Sequence, residues 1–173
     1  MRPAGILAPM ADRLLAIYLQ DHYAGATAGA ELARRARASN EGTPLGEFLG
    51  RLSEDVAEDR EALKEIMDER GVRADPVKNA LGWGAEKLGR LKPNGQITGY
   101  SPLSRIVELE GLHVGISGKL SLWQNLRTVF GVEVAGHDID ALVARAQAQL
   151  DALAEHRAEA ARVAFEDELT RTA

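Results

Sequence analysis

Residues 101–130 read SPLSRIVELEGLHVGISGKLSLWQNLRTVF and decide the fold class predicted for this chain. Ser101 can cap the free amides of a helix, and Pro102 fits the first turn, where its missing amide hydrogen leaves nothing unpaired. Within the stretch, apolar residues recur every three or four positions, the spacing of one buried stripe on an α-helix. The stretch therefore predicts a long helix with Trp123 in the core, and its main stripe comprises Leu109, Leu112, Ile116, Trp123, Leu126 and Phe130.

Three further stretches carry the same helical spacing, and aromatic residues make up only 5% of the chain. Thr43 and Pro44 open the second helix with the same cap and proline, and Asp138 caps the fourth. Because strand-like alternation is scarce, the prediction is an all-α chain. The predicted helices cover about residues 10–37, 44–70, 102–130 and 138–168.

Three of the predicted stripes contain a residue that titrates. Asp59 lies on the stripe of the second helix, and His156 lies on that of the fourth. A charged side chain inside a bundle needs a partner, so these positions are candidates for a polar site. The first helix adds another, since its predicted stripe comprises Leu14, Ile17, Asp21, Ala24, Ala28 and Leu32.

The connections between the helices predict the topology. Short loops join the first helix to the second and the third to the fourth, which favours two antiparallel helical hairpins. Between the hairpins lie residues 72–100, which include an amphipathic segment predicted to form a short helix over about residues 76–91. This connection is long enough to run the length of the bundle. Residues 1–173 are therefore predicted to form a single four-helix domain with one long crossover.

Composition excludes several classes of function. The chain has no cysteine, which rules out disulfides, thiolate metal sites and cysteine nucleophiles. A net charge of -5 argues against a nucleic-acid partner, and Arg34, Arg35 and Arg37 lie where cations complement the end of a helix. No apolar run approaches the 18 or so residues of a membrane span, and no signal-like segment opens the sequence. We expect a cytoplasmic protein with no membrane span.

Residues 54–71, EDVAEDREALKEIMDERG, resemble the acidic second helix of the ferritin-like superfamily. The predicted architecture, two hairpins joined by one long crossover, is also similar to that superfamily, over roughly residues 10–168. Cytokine-like bundles have two long crossovers, whereas this chain has one. The resemblance implies a ferritin-like four-helix bundle.

The resemblance also implies a centre of two metal ions, held by a Glu from each of two helices and a Glu-x-x-His pair from each of the other two. In this chain that pattern is incomplete. Asp21 stands where the first helix should offer a Glu, and the second helix has Glu58 and Glu61 but no histidine. The fourth helix has His156, but Leu153 stands in place of the carboxylate. The candidate metal ligands are therefore Asp21, His22, Glu58, Asp59, Glu110, His113 and His156.

Glu110 and His113 form a Glu-x-x-His pair on the third helix, where the pattern calls for a Glu alone. Each follows a stripe residue by about 100°, so the pair flanks the apolar stripe. Three interpretations stay open: a metal site, a bundle that keeps its polar positions as a hydrogen-bonded network, or a pocket for an organic ligand. The second interpretation predicts a network among Asp21, Asp59, Glu110 and His156.

Five glycines in the first and third helices leave a similar choice. Glycine costs a helix interior about 1 kcal/mol relative to alanine, so its repeated use indicates close approach of a neighbour. Either the two helices pack closely within the bundle, or a small-residue face accepts a partner or ligand. The glycines are Gly25, Gly29, Gly111, Gly115 and Gly118.

Together these features predict a non-catalytic, ferritin-like binding or stress-associated module with a degenerate metal site. The alternative is a di-metal carboxylate protein that uses iron or manganese in iron handling or in dioxygen or peroxide chemistry. If the chain is an enzyme, that alternative makes it a di-iron oxidoreductase. We expect a homodimer through one face of the bundle, and the sequence identifies no small-molecule ligand.

Overall fold

The computed structural model describes residues 7–74 and 100–172 of the chain, with side chains from 13 to 74 and from 100 to 166. Four long helices account for most of these residues. The prediction of an all-α chain is confirmed, and the predicted boundaries lie within a few residues of the observed ones. The helices are α1 (Leu7–Ser39), α2 (Pro44–Glu69), α3 (Pro102–Phe130) and α4 (Ile139–Thr172).

The predicted caps open three of the helices. The Thr43 hydroxyl accepts a hydrogen bond from the Gly46 amide at 3.1 Å, and the Ser101 hydroxyl accepts one from the Ser104 amide at 3.1 Å. The Asp138 carboxylate accepts one from the amide of Ala141, also at 3.1 Å. Each cap satisfies an amide that has no partner within its own helix.

A short β-hairpin joins α3 to α4. Its strands are β1 (Glu133–Val134) and β2 (His137–Asp138), paired antiparallel. Ala135 (φ 52°) and Gly136 (φ 77°) form the turn between them, and two successive positive φ angles are the geometry of the tightest hairpin turns. The sequence predicted only a loop here, because two residues per strand are too few to show an alternating pattern.

Contacts at the two ends of the bundle fix the direction of each helix. At one end, Asn40 bonds to Arg105, which places the start of α3 beside the end of α1. At the other, the Arg70 guanidinium lies 4.1 Å from the centre of the Phe130 ring, so α2 and α3 end together. The chain therefore runs up, down, down and up through α1 to α4.

The connection between α2 and α3 begins and finishes at opposite ends of this bundle. Val72 follows the end of α2, whereas the Tyr100 hydroxyl lies 3.0 Å from the Asn40 side chain, beside the end of α1. The predicted crossover, with its short helix over about residues 76–91, lies outside the described residues. Among the described residues, α1 and α2 run antiparallel, and so do α3 and α4.

The helices do not pack equally closely. α1 packs along both α2 and α3, and α3 packs along α4, whereas the backbones of α2 and α4 approach each other at few points. Trp123 is fully buried, as predicted. Other large residues that are buried in the same core are Leu19, Leu49, Leu52, Leu63, Ile66, Met67, Leu109, Leu112, Leu122, Leu126 and Ile139.

The predicted stripe of α1 is wrong at its first three positions. Leu14, Ile17 and Asp21 are exposed, and Leu19 instead reaches the core. The cause is that α1 carries apolar residues on more than one side, so periodicity alone does not identify the buried side.

Within residues 7–74 and 100–172, none of the helices has the length and apolar character needed to cross a bilayer.

Candidate functional site

A buried ion cluster lies between α2, α3 and α4, and its centre is Asp59. The Asp59 side chain is 2% exposed, and cations from two other helices contact its two oxygens. The Lys119 ammonium of α3 donates to Asp59 Oδ2, and the Arg145 guanidinium of α4 donates to Oδ1. Both oxygens of the carboxylate therefore have a charged donor, which is the condition for burying such a group.

Further polar groups extend this cluster along the seam between α2 and α4. Gln149 of α4 accepts a hydrogen bond from Lys119 through its Oε1 and donates through its Nε2 to Asp55 at 3.1 Å. Arg145 also donates to Glu58 at 2.9 Å. We call these residues the Asp59 cluster; its members are Asp55, Glu58, Asp59, Lys119, Arg145 and Gln149.

Burial sets the electrostatics of the Asp59 cluster. It lowers the pKa of Lys119, because removing an ammonium from water disfavours its charged form, while the nearby Asp59 carboxylate opposes the shift. The Lys119 ammonium is held inside the bundle by hydrogen bonds that it donates to Asp59 and Gln149. The cluster therefore joins three helices through directed, charge-assisted hydrogen bonds.

Four of the predicted metal ligands lie on α1 and α3, two on each helix. Asp21 and Glu110 are exposed, on α1 and α3 respectively. The half-buried His22 ring meets the Tyr18 ring edge-on at 4.5 Å, and burial lowers the pKa of His22 while Asp21 opposes the shift. His113 is half-buried on α3, and its Nδ1 is a buried atom without a hydrogen-bond partner.

The remaining three candidates lie on α2 and α4. Glu58 is exposed and, like Asp59, pairs with Arg145. The His156 ring stacks on Phe48 with 4.2 Å between ring centres, and burial lowers the pKa of His156. Glu58 and Asp59 thus pair with the same cation, Arg145.

Across the part of the chain that the structure describes, no three His, Asp or Glu side chains come together as a group that could hold a metal ion. The predicted polar network is also wrong about the partners of Asp59, which are Lys119 and Arg145. The reason is that a buried carboxylate is stabilised most by cations, whereas Asp21 and Glu110 are themselves acids and would repel it when ionised.

Sequence reasoning found Asp59 but missed the two cations that hold it. A signal for Lys119 was present, because Lys119 lies between Ile116 and Trp123 at the spacing of the buried stripe of α3. A lysine on one apolar stripe and an aspartate on another predict an interior ion pair. Arg145 follows Leu142 on α4 in the same way.

A second polar network closes the end of the bundle where α1 finishes and α3 begins. Its buried acid is Glu108, which accepts hydrogen bonds from Arg35 at 3.2 Å and from the Tyr100 hydroxyl at 2.8 Å. Asn40 donates to the Tyr100 oxygen at 3.0 Å and accepts from Arg105 at 2.9 Å. The network fixes Tyr100, two residues before α3, to the end of α1.

This network predicts a loss of stability in alkali. Burial, with the hydrogen bond to Glu108, raises the pKa of Tyr100 to about 12. A raised pKa means that the folded state holds the phenolic proton more tightly than the unfolded chain does. The contribution is therefore complete below pH 10 and is lost as the pH rises to about 12. Since the side chain is only half-buried, we expect this contribution to be roughly 1 to 2 kcal/mol.

Urea unfolding of the wild type and of Tyr100→Phe between pH 8 and pH 12 measures this term. The wild type should be the more stable of the two at pH 8, and the difference should shrink between pH 10 and pH 12, because phenylalanine has no proton to lose. A difference that stays constant over that range would contradict the assignment.

Comparison of the chain with protein-family models, with curated proteins and with solved structures found no match. The ferritin-like assignment therefore remains a prediction from helix order and local sequence, and the function has to be argued from the chain's own side chains.

Proposed function

We propose that this chain is a non-catalytic binding module, of the stress-associated kind that the ferritin-like resemblance suggests, whose interior polar site serves the fold. The observation that supports this proposal is the pairing of Asp59. Both of its oxygens contact side-chain cations, and these come from the two helices that face α2 across the interior. Lys119 and Arg145 supply the positive charge that a metal ion would supply in a carboxylate-rich bundle.

The energetics favour this arrangement over metal binding. A divalent ion at Asp59 would have to displace both cations, and it would leave the Lys119 ammonium, which is 13% exposed, without its carboxylate. An unpaired buried charge costs several kcal/mol. The metal would also need further ligands, and Glu58, the nearest candidate, already pairs with Arg145.

Lys119 is the side chain in the Asp59 cluster with the most potential for chemistry. A lysine with a lowered pKa can act as a base or a nucleophile once it loses its proton. Here the ammonium donates to Asp59 and to Gln149, so its protons are held by groups of the protein. Its geometry favours a role in stability.

Metal titration tests the proposal against the rival, a di-metal carboxylate protein. Wild-type protein purified without chelator is mixed with Fe(II), Mn(II) or Zn(II), and its metal content and melting temperature are measured. We expect no stoichiometric metal and an unchanged melting temperature. A metal that binds only the folded state would instead raise the free energy of unfolding by about 2.7 kcal/mol when its free concentration is 100 times its Kd.

His156→Ala and Glu110→Ala serve as matched variants. They remove candidate ligands from α4 and α3, and neither residue belongs to the Asp59 cluster. About one equivalent or more of iron per chain, abolished by either substitution, would replace the proposal with the di-metal alternative.

A further inference from the structure

The outer surface formed by α1 and α3 is almost free of charge. Residues 14–30 of α1 contain one charged residue, Asp21, and residues 111–126 of α3 contain one, Lys119, which points into the Asp59 cluster. Charged residues make up 27% of the chain, so about nine would be expected in these two stretches. We call the outer surface formed by the exposed and half-buried side chains of residues 14–30 and 111–126 the α1–α3 face.

Two contacts give the register of the helices across this face. The Asn125 side chain donates to the Tyr18 hydroxyl at 2.8 Å, and Leu32 lies so close to Gly111 that an added Cβ would come within 2.9 Å of it. Because the helices are antiparallel, the same register places Gly25 opposite Gly118. Small residues of both helices thus meet near the middle of the face.

Most of these glycines are not needed for packing between α1 and α3. A Cβ added to Gly25, Gly29, Gly115 or Gly118 meets no atom within 4 Å. Among these five glycines, a Cβ would meet the other helix only at Gly111, and there it meets the Leu32 side chain, not the backbone. The other four leave a shallow, open surface that a second backbone can approach closely.

Large apolar side chains are exposed on and beside the same surface. Leu14 is 65% exposed, Val114 is 46% exposed, and Val129, one turn beyond the face, is 69% exposed. A soluble chain rarely leaves an uncharged surface with apolar side chains of this kind uncovered. The exposed apolar groups and the missing charges are independent indications of an interface.

We infer that the α1–α3 face binds the same face of a second copy of this chain, forming a two-fold symmetric dimer. This inference rests on the proposed binding function and names the partner. The two helical stretches are about 25 Å long and together about 20 Å wide, so each copy would bury roughly 500 to 800 Å². Stable interfaces typically bury about 800 Å² per partner, and a specific interface should bury at least about 1,000 Å² in total.

Charge selects a like-to-like contact over a head-to-tail one. α2 carries nine acidic and three basic residues, a net charge of -6, and it lies on the opposite side of the bundle from the outer α1–α3 face. A head-to-tail contact would bury those charges under an apolar surface, at high cost. A like-to-like contact buries few charges and keeps the two acidic helices far apart.

Gly118→Arg tests the inference, with Ala144→Arg as its control. A Cβ added at Gly118 meets no atom within 4 Å, so we expect the substitution to leave the fold intact. Ala144 is exposed on α4 and receives the same charge on the charged side of the bundle. Sedimentation equilibrium over a range of protein concentrations measures the mass of each variant, and circular dichroism checks its helix content.

We expect a dimer for the wild type and for Ala144→Arg, and a dimer Kd raised about 100-fold or more for Gly118→Arg. A monomeric wild type would overturn the inference, and so would a wild type that grows beyond a dimer with concentration. A Gly118→Arg monomer that is less stable than the wild-type monomer would mean that another part of the same chain covers the face. That outcome would also overturn the inference. None of these outcomes depends on metal binding, so failure of the dimer and failure of the proposed non-catalytic role are distinguishable.

Discussion

Replacing Asp59 with alanine is expected to lower the free energy of unfolding by about 3 to 5 kcal/mol. The substitution leaves Lys119 buried without its carboxylate and removes one of the two acids that hold Arg145. Urea unfolding followed by circular dichroism at neutral pH measures the change. The expected loss is large because the surviving cation stays buried in a site that was built around a negative charge.

Glu58→Ala is the matched control for Asp59→Ala. It removes the neighbouring carboxylate, which also bonds to Arg145 but is 68% exposed. An exposed pair of this kind contributes about 0 to 1 kcal/mol. A double variant, Asp59→Leu with Lys119→Met, should recover part of the loss, because it removes the unpaired Lys119 ammonium while Arg145 keeps its bond to Glu58. Equal effects of Asp59→Ala and Glu58→Ala would mean that the Asp59 cluster is solvated.

The second large effect is expected at Trp123. Its side chain is fully buried among the residues that join α3 to the rest of the core. Truncation to alanine removes the whole indole and leaves a cavity, so we expect a loss of about 3 to 5 kcal/mol in the free energy of unfolding. Urea unfolding followed by far-ultraviolet circular dichroism reports the change without relying on tryptophan emission.

Two further variants of α3, one at the exposed Gln124 and one at Trp123 itself, make this test specific. Gln124→Ala changes the exposed neighbour and should alter stability by no more than about 0.5 kcal/mol. Trp123→Phe keeps most of the ring volume and removes the indole N–H, which is buried without a hydrogen-bond partner. It should therefore cost far less than alanine. A free energy of unfolding unchanged in Trp123→Ala would show that this stripe does not form the core.

Sequence alone predicted the helices well because their ends carry local chemical signals. Thr43 and Ser101 cap α2 and α3 through contacts three residues away, so the information needed lies within four residues of sequence. Five of the six residues in the predicted stripe of α3 are buried and Phe130 is half-buried, although Val114 and Val129 on the same helix are exposed. α1 is rich in alanine and glycine and carries leucines on two sides, and only packing decides that Leu19 is buried while Leu14 is exposed.

The candidate site was less predictable because its members come from three helices. Asp59 was identifiable as an acid on an apolar stripe, but its partners lie 60 and 86 residues away. Which cation meets it depends on the register between helices, and local sequence does not encode that register. The role of the histidines as metal ligands came from the family resemblance, whereas the structure places His156 against Phe48.

The position of the Asp59 cluster has a consequence for how the helices are aligned. Apolar stripes built from leucine and alanine repeat every three or four residues, so two helices can slide past one another by a turn and still bury similar surfaces. Such a slide moves a side chain by about 5.4 Å. That distance would separate Asp59 from both Lys119 and Arg145 and leave the buried Asp59 and Lys119 charges without partners. The Asp59 cluster thus selects one alignment of α2, α3 and α4 among several that the apolar residues alone would accept.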